Sequence, residues 1–201
     1  MSTKSKFSIT LSRQLGSLGC EIGHAVKDRL GYRLVWRELV NEAGKRSGAP
    51  ELALECIDEL GLLGITVPAK YRAGYKWAME EVMKEMVEEG NMVIIGRAGQ
   101  VILGGFPNVI HVRIIAPLEL RARRIAEKRS ISIEGAQAQV EASDRNRRLY
   151  LKRFYNARWD DPNLYDLIIN TERVAPELAA EIISQAVAAY STTGGVLPSF
   201  S

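Results

Sequence analysis

The sequence predicts an α/β fold, a parallel sheet covered by helices on both faces, and three observations predict it. Short β-favouring apolar runs alternate with segments of helical period along most of the chain. One of these runs, Met92–Ile95, is unbroken apolar, as a strand buried on both faces requires. Glycine-bearing turns follow the strands directly, with Gly16 and Gly19 after the first and Gly96 and Gly99 after the third. In open parallel sheets, ligands sit at the carboxyl ends of the strands. These turns therefore converge on one edge as the expected site.

Phe7–Leu11 reads as the first strand, and Ser12–Gly19 as a polar turn. Ile22, Ala25, Val26 and Leu30 recur at helical spacing and Gly31 ends their helix. Tyr32–Trp36 is a candidate second strand. Arg37–Lys45 and Glu51–Leu60 read as short helices separated by Ser47-Gly48-Ala49-Pro50. A long helix over Tyr71–Glu89 stops at Gly90. After Met92–Ile95, Gly96-Arg97-Ala98-Gly99 turns the chain into a short helix near Gln100–Leu103. Val109–Ile115 is the fourth strand, and Pro117 opens a helix where proline is tolerated. Further helices cover about 133–155 and Pro176–Tyr190, with Leu167–Ile169 as a strand between them. The chain of 201 residues, 46% apolar and 25% charged, suits one domain over 1–190, with 191–201 a loose Ser/Thr/Gly-rich tail.

Composition also excludes classes. Two cysteines are too few for a disulfide scaffold, and no apolar run reaches the roughly 20 residues that span a bilayer. The expectation is a cytoplasmic globular protein with no membrane partner. Arg121–Arg158 holds eleven Lys/Arg against four Asp/Glu, although the whole chain carries only +3. Such a concentration suits a phosphate-bearing ligand, or else a solvated helical face with pairs such as Glu119 and Arg123.

A strand, a glycine turn and a helix together make a phosphate cradle, because backbone N–H groups and the helix N-terminus both favour an anion. Ser12-Arg13-Gln14-Leu15-Gly16-Ser17-Leu18-Gly19 has this layout but departs from G-x-x-x-x-G-K-[ST]. Arg13 stands where the first glycine belongs, Gly19 where the lysine belongs, and Glu21 near the hydroxyl's place. A purely structural tight turn is the rival reading. Arg13 favours the anion site, since a guanidinium can offer a phosphate two parallel hydrogen bonds. Glu21 opposes it.

With these residues in view, the chain resembles the cytidylate kinase-like family, a divergent branch of P-loop nucleoside monophosphate kinases. S-R-Q-L-G-S-L-G is similar to that branch's altered phosphate loop, and V-I-I-G-R-A-G resembles its G-R-D-x-G segment. S-D-R-N-R-R resembles its R-D-R-N-R run, followed by Asp166-Leu-Ile-Ile-Asn-Thr in place of D-A-L-V-L-D-S-T. The resemblance implies a three-layer P-loop kinase-like fold with a five-stranded parallel sheet and a mobile helical lid over about 129–158. It further implies ATP as donor with Mg²⁺, and a nucleoside monophosphate as acceptor. Arg97 matches the arginine that holds the acceptor, and Asp144 with Arg147 the lid-side pair. Arg145 and Arg148 match lid arginines near the transferring group. Three departures bear on cytidine: Ala98 replaces the aspartate of G-R-D, Trp36-Arg37-Glu38 replaces D-S-G, and Val140 replaces an arginine.

The expected phosphate site is thus Ser12, Arg13, Gln14, Gly16, Ser17 and Gly19, with Ser17 the candidate contact for Mg²⁺ arriving on ATP. Arg97, Asp144, Arg147, Trp36 and Arg37 are expected at the acceptor. Arg13, Arg145 and Arg148 are expected at the reacting phosphoryl group. Competing roles are a carbonyl cap for Arg97, a helix cap for Asp144 and core cover for Trp36. Asp160 and Asp161 read as turn residues, His24 and His111 as structural, Cys20 as packing. A non-catalytic nucleotide-binding regulator and, less favoured, a nucleic-acid module are the rival functions. Few aromatics flank the arginines, so base stacking has thin support.

Overall fold

The computed structural model describes residues 7–48 and 69–193. In chain order the elements are β1 (Ser8–Arg13), α1 (Gly19–Leu30), β2 (Arg33–Val35), α2 (Arg37–Ser47), α3 (Ala69–Glu89), β3 (Met92–Ile95) and α4 (Gly99–Ile102). They continue as β4 (Val109–Ile115), α5 (Leu118–Arg129), α6 (Ile133–Tyr155), β5 (Leu167–Asn170) and α7 (Pro176–Thr193). A single 3₁₀ turn, Pro162–Leu164, precedes β5. The strands form one five-stranded parallel sheet in the order β2-β3-β1-β4-β5. The expected α/β class and strand count both hold.

The period-2 alternation of each strand divides the core between the two faces. Ile9, Leu11, Val93, Ile95, Ile110, Val112 and Ile114 pack with Ile22 and Val26 of α1 and Ala180 and Ile183 of α7. Met92 and Ile94 face the other way, onto Leu39, Tyr75, Met79, Met83, Tyr150 and Trp159. On that second side β1 presents Ser8, Thr10 and Ser12, all buried, and each has a partner. Ser8 Oγ accepts from Met92 N, Thr10 Oγ1 lies 2.7 Å from His111 Nδ1, and Ser12 Oγ accepts from Trp159 Nε1 at 3.0 Å. Because buried hydroxyls cost free energy unless bonded, these contacts fix the central strand's register.

Several boundaries move. β1 runs two residues past Leu11, so Ser12 and Arg13 are strand residues paired with Arg113 and Ile114, not part of the turn. Polar side chains hid that continuation. Trp36 leaves the second strand and becomes the N-cap of α2, and Pro117 is the N-cap of α5. Helix α7 continues through Thr193, so the expected tail begins inside a helix. The helix expected at Glu51–Leu60 lies outside the described residues. No helix among the described residues is long and apolar enough to cross a membrane.

His111 is structural, as expected. Its ring meets Thr10, its backbone N–H donates to Asp166 Oδ2 at 2.7 Å, and burial lowers its pKa against the opposing pull of Asp166 and the Leu103 backbone. The folded state therefore prefers the neutral ring. The unfolded chain takes up a proton first, so stability is full above the unfolded pKa of about 6.5 and falls as pH drops below it. Urea unfolding at pH 8 and pH 5 checks this: the wild type loses stability on acidification, and His111→Gln loses measurably less.

Candidate active site

β1 delivers Arg13 to the carboxyl edge of the sheet, and the chain then turns through Gln14–Leu18 into α1. Gly16 has φ +80° and Leu18 φ +63°, with Ser17 and Gly19 on the negative side. This alternation makes a concave nest of backbone N–H groups, and the first N–H groups of α1 have no intrahelical acceptor. The backbone layout suited to an anion is thus found in a loop without a lysine. Leu18, a non-glycine residue in the left-handed region, carries a strain of about 1 kcal/mol.

The absent lysine has a steric cause. A Cβ placed on Gly19 would lie 2.4 Å from Arg13 Cβ, closer than packed atoms approach. An arginine at position 13 and any side chain at position 19 exclude each other. Gly16 is equally constrained, since a Cβ there would sit 2.6 Å from the carbonyl oxygen of Arg121 on α5.

Helix α5 braces this loop through Arg121, Arg124 and Lys128. Arg121 Nε donates to Ala116 O, and its Nη1 reaches Leu15 O at 3.4 Å. Its two terminal nitrogens grip both Asp144 oxygens at 3.2 and 2.9 Å, with both side chains buried. Arg124 donates to Gly16 O and to Thr171, whose hydroxyl in turn donates to Ser17 O. Lys128 pairs with Glu21 at 2.9 Å, which draws that carboxylate toward α5. Burial pushes the Glu21 pKa up, but the Lys128 bond and its own N–H outweigh this and leave it low. Positions 121, 124 and 128 share one helix face, and that spacing is the signal that could have found them.

Two cavities flank the loop. The outer groove, about 340 Å³, is lined by Gln14, Leu118, Arg121, Glu141, Asp144, Arg145 and Arg148. Arg145 and Arg148 thus share a groove with Gln14 of the loop. Both are half exposed and rest on carboxylates, Arg145 on Glu141 at 3.9 Å and Arg148 on Asp160 at 3.3 Å. The inner cavity, about 10 Å³, has Ser12, Arg13, Gly96, Ala98, Gln100, Arg147, Tyr150, Leu151 and Trp159 around it. Arg13 and Arg147 are only 8% and 5% exposed there. Trp159 is held at three points: its Nε1 on Ser12, the Arg113 guanidinium 4.5 Å from its ring, and its carbonyl bonded by Arg113 and Tyr165.

Arg97 is buried at the β3 exit, where Gly96, Arg97 and Ala98 have φ +77°, +56° and +57°. Three successive left-handed residues, two of them not glycine, mark a strained corner of the kind found at functional sites. Other expectations are corrected. Asp144 and Arg147 do not form one pair: Asp144 lines the outer groove and holds Arg121, while Arg147 lines the inner cavity and bonds Ser143. Ser17 is fully buried and donates to Gln14 O at 2.8 Å, so its hydroxyl is turned into the loop and lines neither cavity. Trp36, 38% exposed, stands at the start of α2 and also lines neither cavity. Arg37 opens α2, and its side chain is outside the described residues. Val140, at the arginine's place, packs with Ala122, Ile125, Ala136 and Leu15.

Among the described residues no three His, Cys, Asp or Glu side chains gather as a metal cluster. With Ser17 turned inward and Glu21 on Lys128, the loop does not fit a protein-held Mg²⁺.

Comparison with known proteins agrees with this architecture. The family described as the Cytidylate kinase-like family matches residues 8–173. A cytidylate kinase of Pyrococcus horikoshii is 30% identical over 190 residues, covering 92% of this chain and 90% of that protein. Among solved structures, an uncharacterised protein of Eubacterium ventriosum superposes with a TM-score of 0.70 at 18% identity, over 91% of this chain and 99% of that one. The shikimate kinase of Acinetobacter baumannii superposes with 0.52 at 15% identity, over 92% and 95%.

Two outcomes follow for stability. Gly19→Lys should destabilise by about 1–3 kcal/mol through overpacking, and adding Arg13→Gly should restore most of that loss. A double-mutant cycle in urea measures the coupling. Asp144→Ala strands a buried guanidinium and should cost about 3 kcal/mol, read from the same denaturation midpoints.

Proposed function

Because the chain belongs to the cytidylate kinase-like family, we propose that it is a phosphotransferase moving the γ-phosphoryl group of ATP to a small phosphate-bearing acceptor. The observation that carries the reading is the nest at Gly16–Gly19 with a buried arginine, Arg13, packed against its first helical residue. Phosphoryl transfer asks mainly for positioning and neutralisation of charge. The nest N–H groups cradle the ATP phosphates, and Gln14 shapes the loop by accepting from Ala116 N at 3.0 Å. Arg13 takes the place of the missing ammonium. Arg145 and Arg148 exchange their exposed carboxylate partners for the transferring group when the groove fills. Arg147, with Arg13, holds the acceptor on the inner side, and Arg97 supports it from the buried β3 exit. Mg²⁺ would arrive with ATP as part of the substrate and would offset the charge of its phosphates.

The same departures support a second reading, a nucleotide-binding regulator without turnover, which rests on the lysine-less loop. The nucleic-acid reading loses support from the structure of the basic segment. Arg121 and Arg124 point into loop carbonyls and Arg147 is buried, so those cations do not form an outer binding stripe.

A transfer assay with Mg-ATP and a panel of monophosphates separates kinase from regulator, with ADP release as the readout. The expected outcome is turnover on at least one acceptor, lowered roughly 10²-fold or more by Arg13→Ala, as for loss of a charge contact at the transition state. ATP binding without transfer to any acceptor would favour the regulator, and an unchanged rate in the variant would remove Arg13 from the mechanism.

A further inference from the structure

Strand β4 alternates as a buried strand does, with Ile110, Val112 and Ile114 in the core shared with α1 and α7. Arg113 therefore faces the other side of the sheet, where Trp159 lies, and it is only 6% exposed. A guanidinium at such a position carries a desolvation cost that an apolar side chain of similar volume would not. Its contacts show what it supplies in return. Nη1 donates to Trp159 O and reaches the Tyr165 hydroxyl at 3.4 Å. The guanidinium carbon lies 4.5 Å from the Trp159 ring centre and 5.3 Å from that of Tyr165. Among the described residues, the hydrogen bonds and ring contacts of this side chain all end on Trp159 or Tyr165.

Trp159 is the part of the inner cavity that Arg113 controls. Its ring lies 5.8 Å from the Arg147 guanidinium and its Nε1 donates to Ser12 Oγ, and all three residues line that cavity. The Tyr165 hydroxyl completes the clasp. It donates to Trp159 O at 2.7 Å and accepts from Nε2 of Gln100, another lining residue, at 3.2 Å. A phenol has one proton to give and can accept besides, so these bonds and Arg113 occupy it fully. Residues 156–161 form neither helix nor strand, so the hold on Trp159 comes largely from side chains of β1, β4 and the segment before β5. The phosphate loop is braced elsewhere, by Arg121 and Arg124 of α5. Asp160, beside Trp159, reaches the outer groove through its bond to Arg148, and both side chains are half exposed, where an ion pair is weak.

We propose that Arg113 is a positioning residue for the acceptor: it fixes Trp159, and through that ring Arg147 and Ser12, while the donor side stands independently. The inference rests on the kinase reading above, in which the inner cavity takes the acceptor.

The full chain and its Arg113→Met, Arg113→Lys and Tyr165→Phe variants test this by two measurements. By NMR, the Trp159 indole N–H, identified by its loss in Trp159→Phe, is followed in deuterium exchange beside the backbone amides of Val93 and Ile94. Arg113→Met should speed indole exchange at least about tenfold more than it speeds the strand amides, as local release predicts. Calorimetry then compares CMP, UMP and AMP with a non-hydrolysable ATP analogue in the presence of Mg²⁺. Arg113→Met should weaken the best-bound monophosphate about tenfold and the analogue by no more than about twofold, as for a misplaced wall of one site. Tyr165→Phe should act in the same direction to a smaller degree, and Arg113→Lys, which keeps a charge and a donor, should recover most of the loss. Equal losses for both ligands, or indole and strand amides that speed up together, would make Arg113 purely structural and overturn the inference. A wild type that binds no monophosphate would overturn it too. If Arg113→Met does not fold, Tyr165→Phe carries the same comparison. An analogue that fails to bind the wild type would count against the kinase reading alone, since indole exchange and monophosphate affinity still decide the inference.

Discussion

The close approach of Arg13 to Gly19 is the constraint on which the rest of the site depends. A strand that ends in arginine needs room beside the first turn of α1, and only a residue without a Cβ provides it. That single steric demand accounts for the missing lysine. It leaves the cradle intact, because the nest depends on φ signs at Gly16 and Leu18 and on no particular side chain. The positive charge is thereby moved from the helix side of the loop to the strand side, nearer the inner cavity. The chain belongs to the cytidylate kinase-like family, and the buried cation beside its loop stands on β1 instead of at the start of α1.

Bracing follows from the same economy of space. Gly16 touches the backbone of Arg121, so α5 lies directly on the loop, and the arginines along that face bond loop carbonyls instead of water. Burying Arg121 is tolerable because Asp144 matches its fork with two bonds. One ion pair thus joins the loop, the β4–α5 turn and α6.

Much of this fold is legible in the sequence, where local chemistry dictates it. Met92–Ile95 and Val109–Ile115 are strands at the expected residues because uninterrupted apolar runs leave little else for the chain to do. The end of β1 is not legible, because Ser12 and Arg13 look like turn residues until Trp159, 147 positions away, supplies the bond that keeps Ser12 inside. The glycine turn stands out from its spacing, and the arginines at 97, 145, 147 and 148 from the family resemblance. The division that puts 145 and 148 on one cavity and 147 on the other is not legible, since it depends on which face of α6 meets α5 and which meets the sheet. Asp144 illustrates the difficulty: one turn of helix from Arg147, it faces another cavity and a partner 23 residues back. The inward-facing arginines of α5 read as either a ligand surface or a solvated basic face for the same reason, for a charge pattern does not say which carbonyls lie opposite.

Helix α6 is anchored along its whole length. Ala136 and Val140 pack beside Leu15 near its start, while Tyr150 and Leu151 sit in the main core near its end, about 35 Å of helix in all. A rod packed at both ends carries Asp144, Arg145 and Arg148 into the outer groove and Arg147 into the inner cavity, so one stiff beam is a wall common to both compartments.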